Sequence, residues 1–465
     1  MACSRACSAR YRCRGETGCD GHQGRPGRRR ARARAVAVTG RAALIALIAT
    51  LVALAFRTAG ALVAADGLIV IAIAADVALA ASVRQLRVTR SGDTRILLGQ
   101  PGQVAVTVVN QGRRALRGIV RDAWEPSVGA RPERFSVAIP AGGQITVASR
   151  LRPARRGDRP AGPVTIRSVG PLGLAARQSS HPAPWSVRVL PPFFSRKHLP
   201  EKLAQLRLLD GQHRSMIRGK GAEFDSLREY VIGDEVRSID WRASARRTDL
   251  MVRTWRPERD RRIVIVLDTG RTSAGRVAGL PRLDTAMDAA LLLAALASRA
   301  GDRIDLVAVD SKVRARVIGS RRGDVLAAIT DALAVLEAQL TESDAGLMAS
   351  TVLAMARQRC LVVLLTDLNP AALQEGLLPR LPLLVSRHRL LLAAVSDPRL
   401  TQMAAERGDA IAVYDAAAAE HAVAQRARIR AQLTRHGVDV VDAPPDRLPA
   451  ALADAYLRLK AAGQL

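Results

Sequence analysis

RIVIVLDTGRTSAG, residues 262–275, carries five consecutive apolar residues after Arg262 and passes from Asp268 into a Thr/Gly/Ser-rich turn. A strand apolar at every position is buried on both faces, as in a parallel sheet covered by helices. The surrounding sequence repeats that pattern. RIDLVAVD (303–310), CLVVLLTD (360–367), HRLLLAAVSD (388–397) and VDVVDA (438–443) read as further strands. RLDTAMDAALLLAALASRAG (282–301), GDVLAAITDALAVLEAQL (323–340), AGLMASTVLAMARQR (345–359), EHAVAQRARIRAQLTRHG (420–437) and 446–462 read as helices between and after them. Such alternation predicts a doubly wound α/β domain over 262–465.

Two of these strands end in carboxylates, Asp268 and Asp367. Ligands of doubly wound sheets bind at the C-terminal strand edge, so the two acids would converge there if their strands lie close together. With nearby hydroxyls they would suit a hard divalent ion such as Mg²⁺. The alternative is that both cap loops by accepting backbone amides.

Upstream lies GKGAEFDSLREYVIGDEVRSIDWRASARRTDLMVRTW (219–255), where acids and arginines interleave with aromatic residues. Glu223, Phe224, Arg228, Tyr230, Asp234, Asp240, Trp241 and Arg246 are its candidate interaction residues. The segment has no nucleophile, metal-ligand cluster or phosphate loop, which favours an irregular piece held by ion pairs and aromatic anchors. A catalytic pair among its carboxylates is the competing reading.

Between 84 and 192 the chain breaks into short Val/Ile/Thr-rich runs, such as QVAVTVVN (103–110) and GPVTIRSVG (162–170), punctuated by Gly, Pro and Asn. This predicts an antiparallel β-sandwich. From Ala42 to Val83 the chain is apolar except for Arg57, Asp66, Asp76 and a few small polar residues. The stretch is long enough for two crossings, at 40–57 and 61–82, joined by a turn near Arg57–Gly60. A signal peptide or a single long helix are the alternatives. Asp76 then either faces the partner helix or lies near the interface. Arginines crowd both outer flanks, and the turn has one, so the positive-inside rule places both ends in the cytoplasm of an inner-membrane, multi-pass protein.

Residues 1–39 form a basic tail, rich in Gly and Arg, that is expected to lack stable structure. They contribute strongly to the formal net charge of +29. Aromatics make up only 3% of the 465 residues, and no nucleic-acid-binding motif is present. The basic surface is therefore read as solvated and membrane-proximal, without a nucleic-acid partner. Cys3, Cys7, Cys13 and Cys19 have no Cys-x-x-Cys spacing, and Cys360 opens an apolar run. This usage fits a reducing compartment, with Cys360 as a core thiol.

The run 219–255, the strand and DTGRTSAG that follow it, and RRGDRPAGPVTIRSVGPLGLAAR (155–177) together resemble the family called domain of unknown function 58, over roughly residues 42–450. That resemblance implies a C-terminal domain similar to von Willebrand factor A domains. It also implies association with a MoxR-type AAA+ ATPase, and so an adaptor acting on a client complex rather than an enzyme. The chain is accordingly divided into tail (1–39), transmembrane hairpin (40–83), β-sandwich (84–192), linker with the signature segment (193–261) and A-like domain (262–465). A-like domains carry an adhesion-type metal pattern, Asp-x-Ser-x-Ser with a Thr and an Asp from two further loops. Asp268, Thr272, Thr341 and Asp367 are the positions that correspond, while Gly270 stands where the first serine would be. An envelope scaffold and a metal-assisted hydrolase using the 223–249 carboxylates remain the other functional readings.

Overall fold

The computed structural model describes residues 35–55, 59–216, 223–231, 234, 236–246, 249–256, 261–319 and 325–465. The expected tail falls outside the described residues up to 34, and so does the turn at 56–58.

The strands expected in the C-terminal part form one six-stranded sheet. Its members are β1 (Arg262–Asp268), β2 (Arg303–Val309), β3 (Val313–Val317), β4 (Leu361–Leu365), β5 (Arg389–Val395) and β6 (Asp439–Ala443). Their order is β3-β2-β1-β4-β5-β6, parallel throughout except for β3, which runs antiparallel at the edge. The sequence reading lacked β3, whose VRARV carries arginines on an edge strand.

Alternate residues of β1 serve two separate cores. Ile263, Ile265 and Leu267 pack with helices α1 (Arg282–Arg299), α2 (Val325–Ala334) and α5 (Leu448–Ala461). Val264 and Val266 pack with α3 (Ala345–Met355) and with Ile429 and Leu433 of α4 (Ala410–Arg435). Burial on both sides explains the unbroken apolar run, and the domain is doubly wound as expected. Chain order reverses between β1 and β4, the switch point where such sheets open a crevice.

The expected linker does not behave as one at its start. Leu199–Met216 is a helix, and its Leu206 is buried in the same core as α1. Ser195 Oγ donates to Asp288 of α1 at 2.8 Å, and Lys202 pairs with Asp454 of α5 at 2.8 Å. Glu223–Glu229 and Met251–Arg256 pair antiparallel as a ribbon that joins neither neighbouring sheet.

Strands of the middle region form two main sheets. One is five-stranded and the other contains Leu86–Gly92, Gly102–Asn110 and Gln144–Leu151. Val106 and Val108 of the second sheet meet Leu116, Val137 and Ile166 of the first in a shared core. A smaller sheet pairs Ser186–Leu190 in parallel with Arg95–Leu97, so the region is not purely antiparallel. Residues Ala35–Val38, expected in the tail, are instead an edge strand of the five-stranded sheet.

The apolar stretch forms two helices, Gly40–Ala55 and Ala59–Leu79. By length and composition one span, Leu62–Gln85, is long enough to cross a membrane, and the first helix is shorter. Asp76 does not face the partner helix. It is fully buried, and its carboxylate accepts the amides of Leu172, Leu174 and Ala175 at 2.7, 2.7 and 2.8 Å, fixing the helix to the sandwich.

Candidate functional site

Because β1 ends at the switch point, its last residue is delivered to the crevice. Asp268 is buried there and held by four donors. Its Oδ1 accepts the Gly270 amide at 2.8 Å and the Ser343 hydroxyl. Its Oδ2 accepts the Thr366 hydroxyl at 2.6 Å and the Thr272 hydroxyl at 3.3 Å. These donors come from three segments: the turn after β1, the loop before α3 and the end of β4. Two backbone bonds tie the first pair of segments together, Gln339 N to Thr269 O at 2.7 Å and Arg271 N to Thr341 O at 2.8 Å. A cavity of about 30 Å³ adjoins the carboxylate, walled by Met348, Leu373 and Leu377. That is room for one or two waters.

Gly270 has a positive reason to be glycine. A Cβ there would fall on the Ser343 hydroxyl and lie 2.9 Å from the Thr341 carbonyl oxygen. The hydroxyl that the sequence pattern lacks at 270 is thus supplied by Ser343 from across the crevice, and the two cannot coexist without a shift.

Of the expected metal quartet, the structure brings Asp268 and Thr272 together. Thr341 contributes its carbonyl to the loop pairing and leaves its side chain exposed. Asp367 is turned to cations, with Arg282 at 3.0 Å and Arg426 at 2.8 Å. The residues that the sequence reading missed, Ser343 and Thr366, lie two positions and one position from the ones it chose. The strings LTESD (340–344) and LTDL (365–368) carried the signal, but register within a loop is not visible in sequence.

This donor set does not fit a resident Mg²⁺. Asp268 already accepts two hydrogen bonds on each oxygen, Asp367 is neutralised by guanidinium groups, and among the described residues no group of three His, Cys, Asp or Glu side chains gathers. A hard cation of that charge needs anionic oxygens that are free to reach it.

Around this centre the sheet edge is braced by charge. Arg426 of α4 donates to Asp367, to both oxygens of Asp442 at 2.9 Å, and to the Val395 carbonyl. Burial alone would lower the Arg426 pKa, but Asp442 and Asp367 outweigh it and hold it above the ordinary value. Asp310, at the end of β2, is pushed up by burial. Arg314, the Lys312 amide and the Thr269 hydroxyl more than reverse this and hold it below the usual carboxylate range.

The signature ribbon is arranged differently. Asp240 caps the turn Trp241–Ser244 through the amides of Arg242 and Ala243 and pairs with Arg253 at 2.8 Å. Asp234 pairs with Arg228 and accepts the Val231 amide. Three of the eight candidate interaction residues, Asp234, Asp240 and Arg228, are therefore internal braces. Tyr230 is half-buried and Arg246 exposed, while the side chains of Glu223 and Phe224 lie outside the described residues. What faces outward includes three large apolar side chains, Trp241 at 64% exposed, Val231 at 62% and Val236 at 61%, beside the exposed Arg237, Arg242 and Arg246.

Comparison with known proteins agrees with the resemblance read from the sequence. Residues 226–440 match the family described as "Protein of unknown function DUF58", and the chain carries a domain of that family. The match is narrower than the expected 42–450. Uncharacterized proteins of Mycobacterium tuberculosis and Mycobacterium bovis are each 28% identical over 203 residues, 41% of this chain. The chain spans 60% of the length of these curated relatives. Among solved structures, the CARDB domain of a Pyrococcus furiosus protein aligns with 22% of this chain and 86% of its own, at 14% identity and a TM-score of 0.17. A β-glucosidase from Listeria innocua aligns with 22% of this chain and 16% of its own, at 17% identity and a TM-score of 0.16. Scores this low carry no argument about fold.

Proposed function

We propose that this chain is a membrane-anchored adaptor whose signature ribbon presents an apolar surface to a partner protein. By the family resemblance, that partner is a MoxR-type AAA+ ATPase acting on a client complex. One observation carries the reading: on the ribbon, Asp234 and Asp240 are spent on Arg228 and Arg253 while Trp241, Val231 and Val236 stand in solvent. An exposed tryptophan fits a docking surface, since tryptophan is among the residue types enriched at binding hot spots. The strand order β3-β2-β1-β4-β5-β6 with an antiparallel edge supports assigning the α/β domain to the von Willebrand factor A-like class.

The inner-membrane location and cytoplasmic orientation are part of the same proposal. Support comes from the sandwich, since both helices begin or end on it. Strand Ala35–Val38 runs into the first helix, and Asp76 pins the last turn of the second. A hairpin whose two feet share one platform leaves the described residues that flank it on a single side. Of the carboxylates a hydrolase reading would use, Asp234 and Asp240 are already held by Arg228 and Arg253, which weighs against those two as a catalytic pair.

The test is co-purification of the full chain, from crosslinked membranes, with a MoxR-type ATPase. Wild type should retain the ATPase, and Trp241→Glu should lose most of it with the chain still folded. Equal recovery with both proteins removes the ribbon from the interface. Recovery with neither overturns the adaptor reading.

A further inference from the structure

The end of the sandwich that carries the helices is a single rigid platform. Thr39 Oγ1 donates to the carbonyls of Gly173 and Leu174 at 2.6 and 3.0 Å. Asp76 accepts three amides of the same 170–175 turn. Arg114 donates to the Ala78 carbonyl at 2.8 Å, and the Gln111 amide to Gln85 O at 2.9 Å. The helix feet, the 170–175 turn and the 111–114 turn are thereby locked side by side.

The outer surface of this platform is cationic. Arg41, Arg84, Arg113 and Arg114 are exposed on it. Among the described residues none of them pairs with a carboxylate. Asp76, the acid built into the platform, is fully buried with both oxygens bonded to amides, so it offers the arginines no counter-charge at the surface. Two apolar side chains of the same end are exposed as well, Leu172 at 56% and Val38 at 59%. The two helices that leave this end expose leucines and valines, Leu44, Leu47, Val63 and Leu68 among them.

We propose that this end of the sandwich is a seat for acidic phospholipid headgroups. The four arginines engage lipid phosphates and Leu172 dips to the acyl boundary, so the sandwich lies on the bilayer instead of hanging below it. The proposal rests on the membrane-anchored reading. Charge complementarity and continuity with the apolar helices both point to the same occupant. Guanidinium groups bind phosphate oxygens bidentately, their stems cover apolar surface, and basic clusters beside a span are drawn to anionic leaflets.

The experiment uses the full chain with its four N-terminal cysteines replaced by serine and Leu172→Cys carrying a polarity-sensitive dye. It is reconstituted into phosphatidylcholine vesicles with or without about one third phosphatidylglycerol. Incorporation, read as resistance to carbonate extraction, should be equal in both. The dye should shift to the blue and be quenched by brominated acyl chains more strongly where phosphatidylglycerol is present. A dye at Gln100→Cys, at the opposite end of the sandwich, should respond to neither. Replacing Arg41, Arg84 and Arg113 together with glutamine should remove more than about half of the phosphatidylglycerol-dependent quenching, with incorporation unchanged. Free inorganic phosphate should leave it unaltered. Identical dye responses with and without phosphatidylglycerol, or loss of the response in free phosphate, overturn the seat while leaving the anchor standing. Failure to resist carbonate extraction overturns the anchor itself.

Discussion

The crevice at the end of β1 and the signature ribbon are both rich in acids and arginines, yet they use them in opposite ways. In the crevice the acids are enclosed. Asp268 is saturated by three hydroxyls and an amide, and Asp367 shares Arg426 with Asp442. On the ribbon Asp234 and Asp240 brace the surface from within, and large apolar side chains stand exposed beside arginines. A carboxylate-rich stretch is thus a poor guide to chemistry when each acid has a cation or amide within reach. What the charges leave uncovered says more about function.

The largest expected effect sits in the crevice. Arg426→Ala would strand Asp442 without its fork and leave Asp367 with Arg282 alone. Breaking a buried pair in this way costs about 3–5 kcal/mol, read as a fall in the urea midpoint. A loss under about 1 kcal/mol would show that the edge is not held by charge.

Next comes Gly270→Ser, which restores the expected hydroxyl but places it on Ser343. Overpacking of this kind costs about 1–3 kcal/mol. Ser343→Ala in the same chain should recover part of that loss. An unchanged or raised stability for Gly270→Ser alone would mean that the crevice is looser than the geometry shows.

A smaller contrast appears with pH and salt. Asp310 is held below the ordinary carboxylate range, so its charged form adds stability that is fully present above about pH 4. That stability is lost as pH falls through its depressed value. Asp240 is also lowered, chiefly by Arg253 and then by the Ala243 amide, but on an exposed ribbon. Asp310→Asn should flatten the acid limb of the stability curve between about pH 4 and pH 2. The effect of Asp240→Asn should fade at about 1 M salt while that of Asp310→Asn persists. Equal salt sensitivity at both sites would erase the distinction between enclosed and exposed acids.

Trp241→Ser should change stability by no more than about 0.5 kcal/mol, the range for surface positions. A loss of several kcal/mol would make Trp241 a structural anchor instead of a docking residue. Least of all is expected from Mg²⁺. At about 5 mM it should shift the melting temperatures of wild type and Asp268→Ala equally, and a shift confined to wild type would restore the metal site.

Periodicity made the α/β domain legible. Strands buried on both faces leave an unbroken apolar signature, and every expected strand from 262 onward is present within a few residues. The helix Leu199–Met216 was missed because its neighbourhood reads as polar and the packing of Leu206 that holds it to the core is tertiary. The site was half legible. Asp268 and Thr272 follow β1 directly, so their placement needs only the strand. Ser343 and Thr366 come from other loops, and which hydroxyl of LTESD or LTDL turns inward depends on backbone bonds between loops far apart in sequence.

The sequence by itself determined the alternation of strands and helices, the apolar pair of helices near the N-terminus and the family of the signature segment, because each is written in local pattern. Only the tertiary structure decided what the charges are for. Whether Asp268 meets hydroxyls or a cation, whether Asp367 faces a crevice or Arg426, and whether Asp76 faces a neighbouring helix or the sandwich all depend on groups dozens of residues away. Their encounter is fixed by packing, not by spacing along the chain.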